Sequence, residues 1–120
     1  MKTLTIISKQ RLMTCDIRLQ KLIEAINVKM FVNVSVGHRD KTCQDNAFRD
    51  GKSKVKYPNS KHNKIPSLAV DIYPIENNEI AWDKFDELGK IIKYTSKELE
   101  IPIIWGGDWK MRDKPHIELK

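Results

Sequence analysis

Two of the chain's three histidines, His62 and His116, stand with Asp71 in surroundings that few folds reconcile. Asp71 is the one acid in the apolar, β-capable stretch Leu68 to Tyr73. His62 precedes it by nine positions, and His116 begins a short strand-like run at the end of the chain. Two neighbouring strands, with His62 held just before the first, would bring the three side chains to one point. Two imidazoles and a carboxylate can hold a zinc ion tetrahedrally and leave its fourth position for water, as a hydrolytic site requires and a closed structural site does not. The set therefore points to metal-assisted hydrolysis.

A chain of 120 residues has room for one hydrophobic core, so a single domain over residues 1–120 is expected. Its 22 basic residues outnumber its 16 acidic ones for a net charge of +6. The charges are intermixed, which suits an anionic partner such as cell wall, membrane surface or nucleic acid without choosing among them. No recognised nucleic-acid module accompanies the charge, so that partner is not expected. Cys15 and Cys43 lack CxxC spacing, which argues against a zinc knot or redox motif and favours two thiols, with a bridge between them left open. The start, MKTLTIISKQRLM, lacks the long apolar region and small-residue cleavage site of a secretory signal. No stretch approaches the roughly 18 to 20 apolar residues of a membrane-spanning helix, so stable membrane insertion is not expected.

Leu19, Leu22, Ile23 and Ile26 recur at helical spacing and predict a helix over 16–27, with Thr14 or Asp16 as its cap. Residues 30–36 alternate, placing Val32, Val34 and Val36 on one face of a strand that ends at Gly37. Asp40 can cap a second helix through about residue 50, after which Gly51 opens a long basic loop. Leu68 to Tyr73 is a strand whose extension Pro74 limits. A long helix is predicted from about Ala81, with Trp82, Phe85, Leu88, Ile91, Ile92 and Leu99 on its apolar face. A short apolar run from Pro102 to Trp105, a Gly106-Gly107 turn and a strand over 115–119 complete the chain. Three helices mixed with strands, without regular βαβ repetition, indicate an α+β domain with a small, mainly antiparallel sheet.

On the last strand His116 and Glu118 share a face, while Ile117 and Leu119 turn to the opposite, buried one. Asp113, three residues before His116, can reach a water on the metal without binding the metal itself, as a general base must. Glu118 is the alternative base or ligand, although an exposed carboxylate near the chain end is its simpler reading. His38 stands beside Arg39, whose charge disfavours a nearby dication. Trp105 and Trp109 either border a cleft or fill core around the Gly-Gly turn.

Three ordered motifs tie these residues together. They are Gly37-His38-Arg39-Asp40 followed by Gln44; Ser60-Lys61-His62 with Ala69-Val70-Asp71; and Trp105-Gly106-Gly107-Asp108-Trp109 leading to Asp113-Lys114-Pro115-His116. In them the chain resembles the zinc D-alanyl-D-alanine carboxypeptidase and L-alanyl-D-glutamate endopeptidase family, whose phage members are cell-wall endolysins. The resemblance implies a hedgehog/D-Ala-D-Ala peptidase-like fold. It implies Zn2+ on His62, Asp71 and His116, Asp113 as catalytic acid/base, Arg39 near the reacting carbonyl, and Ser60 and Gln44 as substrate-binding residues. One departure is the spacing between His62 and Asp71, lengthened by Asn63 to Leu68 in a connection where insertion costs little. The substrate so implied is a peptidoglycan stem peptide, cut between L-alanine and D-glutamate by a monomeric enzyme that collects in the cytoplasm before release to the wall. Removal of a terminal D-alanine, or a zinc-bearing wall-binding module without catalysis, are the alternatives.

Overall fold

The computed structural model describes residues 2–120. Four helices, α1 (Ile6–Leu12), α2 (Ile17–Lys29), α3 (Lys41–Arg49) and α4 (Phe85–Leu99), accompany five strands. These are β1 (Val32–Val36), β2 (Ala69–Glu76), β3 (Glu79–Ile80), β4 (Ile103–Trp105) and β5 (His116–Leu119). The sheet is antiparallel in the order β1-β2-β5-β4, with β3 folding back on the end of β2.

Helix α2 begins where Asp16 accepts a hydrogen bond from the Arg18 N–H at 2.9 Å. Its Leu19, Leu22, Ile23 and Ile26 are completely buried, each burial stabilising the fold by roughly 1.5–3 kcal/mol. Phe85, Leu88 and Ile92 of α4 join the same core, as do Val32, Val34, Val70, Ile72, Ile117 and Leu119 from one face of the sheet. Alternation along β2 and β5 turns Asp71, His116 and Glu118 to the other face. A bulge between Val34 and Val36 turns Val36 off the face that the sequence reading gave it with Val32 and Val34, so that Val36, Asp71 and His116 form one row across β1, β2 and β5.

Three features depart from the sequence reading. First, α1 is a fourth helix; it buries only Ser8 and Leu12, so it has no apolar stripe to announce it. Its role is to cover the outer edge of β1, where the Val34 N–H donates to Ser8 Oγ at 3.0 Å and Arg11 Nη1 donates to the Val34 carbonyl at 3.1 Å. Second, β2 runs through Pro74 to Glu76. The Ile72 N–H bonds to Pro115 O, and Pro74 O accepts from the Ala81 N–H, so even-numbered positions face the β5 side. At Pro74 that side has already lost β5, and the missing N–H forfeits no ladder bond. Third, Trp82–Lys84 form a one-turn 3-10 helix and α4 starts at Phe85, leaving Trp82 exposed.

The buried indole of Trp105 lies between two glycines, Gly89 of α4 and Gly107 of the following turn. A Cβ at either would fall 2.2 or 2.3 Å from the ring. Replacing a helical glycine by alanine ordinarily gains about 1 kcal/mol of helix propensity. Here overpacking of about 1–3 kcal/mol opposes it, and Gly89→Ala is expected to lower the unfolding free energy by up to about 2 kcal/mol in urea titrations instead of raising it.

Candidate active site

Each site residue is delivered by a different local device. Ser60 caps the 3-10 turn Lys61–Asn63: its hydroxyl accepts from the His62 N–H at 3.1 Å while Asn63 Oδ1 accepts from the Ser60 N–H at 3.0 Å. The buried His62 ring then donates from Nδ1 to the Gly37 carbonyl at 2.8 Å. A carbonyl only accepts, so Nδ1 carries a proton and Nε2 is the ring nitrogen left to face Asp71, with a lone pair to offer a cation. That Nε2 is 3.2 Å from Asp71 Oδ1. His116, directly opposite Asp71 across the β2–β5 ladder, places its Nδ1 3.2 Å from the same oxygen and its Nε2 2.8 Å from Glu118 Oε1.

The donor atoms of His62, Asp71 and His116 all lie within 4.8 Å of one another. With both outward-facing nitrogens tied to acceptors, two lone pairs and a carboxylate oxygen are left converging on one point. The three could hold a cation there, and two nitrogens with one oxygen are a donor set suited to zinc. Burial alone would raise the Asp71 carboxyl, but hydrogen bonds from His116 and His62, with their charges, hold it well below the usual carboxylate range. Burial pulls His116 down, yet the hydrogen bond and charge of Asp71 and the bond to Glu118 leave it raised.

Around this point the remaining predicted residues fall into two groups. Asp113 is at the exposed rim, one turn before β5, with its N–H donating to Gly106 O at 2.9 Å and its carbonyl accepting from the His116 N–H at 3.1 Å. Desolvation and the negative charge of Asp71 push its carboxyl up, against the charges of His116, His62 and Arg39. Trp109 is also at the rim, its half-exposed ring tilted 39° over His116 with centroids 5.1 Å apart. Arg39 is tied to the His62 turn by its main chain, N–H to His62 O at 2.8 Å and O from Asn63 Nδ2 at 2.9 Å.

Gln44, expected to touch substrate, is 0% exposed, and its amide is fully used inside the protein. Its Oε1 accepts from Arg39 Nη1 at 3.1 Å and Asn63 Nδ2 at 3.2 Å, while its Nε2 donates to Ser53 Oγ and to Val55 O at 2.6 Å. It holds Arg39 rather than facing a ligand. The Ser60 hydroxyl differs: one lone pair caps His62, and its own O–H proton is not used in doing so. Glu118 is not the exposed carboxylate its place in the sequence suggested: its side chain is 16% exposed and paired with His116 and Lys61. His38 is outside the cluster, with its N–H donating to Thr14 Oγ1. Trp105 fills core and donates from Nε1 to Lys114 O. Cys15 and Cys43 are both free, and burial pushes the Cys15 thiol up to about 11.

The model of the phage L-alanyl-D-glutamate peptidase family matches residues 2–120. The chain belongs to that family: it is a peptidoglycan hydrolase, an L-alanyl-D-glutamate peptidase of the kind found in phage endolysins. Among solved structures it is similar to the Serratia marcescens L-Ala D-Glu endopeptidase ChiX, with a TM-score of 0.83 and 24% identity over 98% of this chain and 90% of that one; the two share a fold. No curated protein matches the chain.

Removing the Gln44 amide would abandon several buried partners at once, each costing roughly 1–3 kcal/mol. Gln44→Leu is expected to lower the unfolding free energy by at least about 2 kcal/mol, read by chemical denaturation, and to reduce peptidase activity by releasing Arg39.

Proposed function

We propose that the peptide bond between L-alanine and D-glutamate is cut with the help of a zinc ion held by His62 Nε2, Asp71 Oδ1 and His116 Nδ1. The observation that carries this reading is the convergence of two bare imidazole nitrogens and a carboxylate oxygen within 4.8 Å. A bound zinc ion supplies a Lewis acid that polarises the scissile carbonyl and acidifies water. Asp113 at the rim accepts the proton of the attacking water as the new C–O bond forms, then passes it to the D-glutamate nitrogen as the C–N bond breaks. Its upward-shifted carboxyl suits this exchange, because a base must also be able to hold the proton it later returns. Arg39, fixed by Gln44 and by the His62 turn, faces the negative charge that develops on the carbonyl oxygen.

All these residues come from one chain, which supports action as a monomer. The excess of basic residues favours adsorption to anionic wall polymers. The phage affiliation of the family supports a role in breaking the host wall at lysis, with the enzyme made in the host cytoplasm and reaching the wall after the membrane is breached.

Digestion of purified peptidoglycan, followed by mass spectrometry, tests this reading. Chelation is expected to stop digestion and zinc to restore it, with new amino termini on D-glutamate. Asp113→Asn should lower kcat by about a hundredfold or more while one zinc per chain remains bound. His62→Ala should lose both metal and activity. Metal-free protein digesting wall at the full rate would contradict the proposal, and release of terminal D-alanine alone would reassign the bond.

A further inference from the structure

The two histidines of the site are carried by elements of different kinds, the 3-10 turn Lys61–Asn63 and strand β5. The side chain beside His62 reaches across to that strand: Lys61 Nζ donates to the Leu119 carbonyl and lies 3.2 Å from Glu118 Oε2. The other oxygen of that carboxylate, Glu118 Oε1, is 2.8 Å from His116 Nε2. One carboxylate thus sits between a lysine next to the first histidine and the ring of the second. Its side chain is 16% exposed, which limits competition from water. The main chain follows the same path, with Leu68 bonding to Lys61 O at 3.0 Å and accepting from the Leu119 N–H at 2.9 Å.

We infer that Lys61 and Glu118 are a positioning pair for the metal site. Glu118 accepts the Nε2 proton of His116, which fixes the ring orientation and leaves the Nδ1 lone pair aimed at the Asp71 side. Lys61 holds Glu118 in that pose and sets the distance between the His62 turn and β5. Neither side chain touches substrate or the reacting atoms. The inference rests on the metal reading given above. Loss of a carboxylate that orients a liganding histidine typically weakens metal binding roughly 10- to 100-fold.

Zinc affinity measured by competition with a chromophoric chelator, together with melting of the metal-free proteins, tests the pair. Glu118→Ala is expected to weaken zinc binding roughly 10- to 100-fold relative to the unsubstituted protein. Glu118→Gln, whose amide oxygen still accepts from Nε2, should recover part of that loss, and Lys61→Met should weaken binding by less than Glu118→Ala. Metal-free melting should fall only slightly, and the affinity losses should not track that fall across the three variants. Zinc binding in Glu118→Ala as tight as in the parent would overturn the inference. So would affinity losses matched in every variant by a fall in metal-free melting, since the pair would then serve the fold alone. A parent protein that binds no zinc would instead overturn the metal reading itself.

Discussion

One carboxylate oxygen, Asp71 Oδ1, stands 3.2 Å from a nitrogen of each of two histidines that are 54 positions apart in the sequence. That convergence depends on strand register. Asp71 and His116 are directly opposite, and a slip of one residue between β2 and β5 would send His116 to the helix face and bring Ile117 out. The register is enforced from behind the site, because Val70, Ile72, Ile117 and Leu119 have their place only in the core under α2 and α4. Apolar burial on one face of the sheet thereby sets the polar geometry on the other.

The placement of His62 depends on hydrogen bonds rather than on the sheet. His62 is tied to Gly37 through its ring and to Arg39 through its carbonyl, and Asn63 returns a bond to Arg39. Gln44 closes this network, with every polar atom of its amide satisfied. A buried network of this kind is rigid only when complete, since an unpaired member in a low-dielectric setting is costly. Asp113 and Trp109, by contrast, remain exposed at the rim where a peptide can reach them. The interior holds His62, Asp71 and His116 still, and Asp113 and Trp109 are the groups beside them that meet solvent.

Much of this was readable before any coordinates. The caps Asp16 and Asp40, the alternation of Val32 and Val34 in β1 and the apolar stripe of α4 are local signals that tertiary packing reinforces, whereas the bulge that turns Val36 away has no local signal. His62, Asp71 and His116 could be singled out because a charged strand residue and rare histidines stand out against apolar surroundings. The pieces that escaped lack such a signature. Helix α1 makes hydrogen bonds to a strand edge instead of burying a stripe, and β2 continues past Pro74 only because of where β5 stops. Gln44 and Glu118 are ordinary polar residues whose burial comes from distant partners, Val55 in one case and Lys61 in the other. The two-residue spacing from His116 put Glu118 on the right strand face and a motif singled out Gln44, but no spacing rule shows what encloses either.

The covering of β1 by α1 has a wider consequence. An open strand edge offers a row of N–H and C=O groups to any extended peptide, including a second copy of the same chain. Ser8 and Arg11 occupy those groups at Val34. Helix α1 therefore acts as a guard against strand addition, and its loss would leave a sticky ledge on the sheet as well as taking Leu12 from the core.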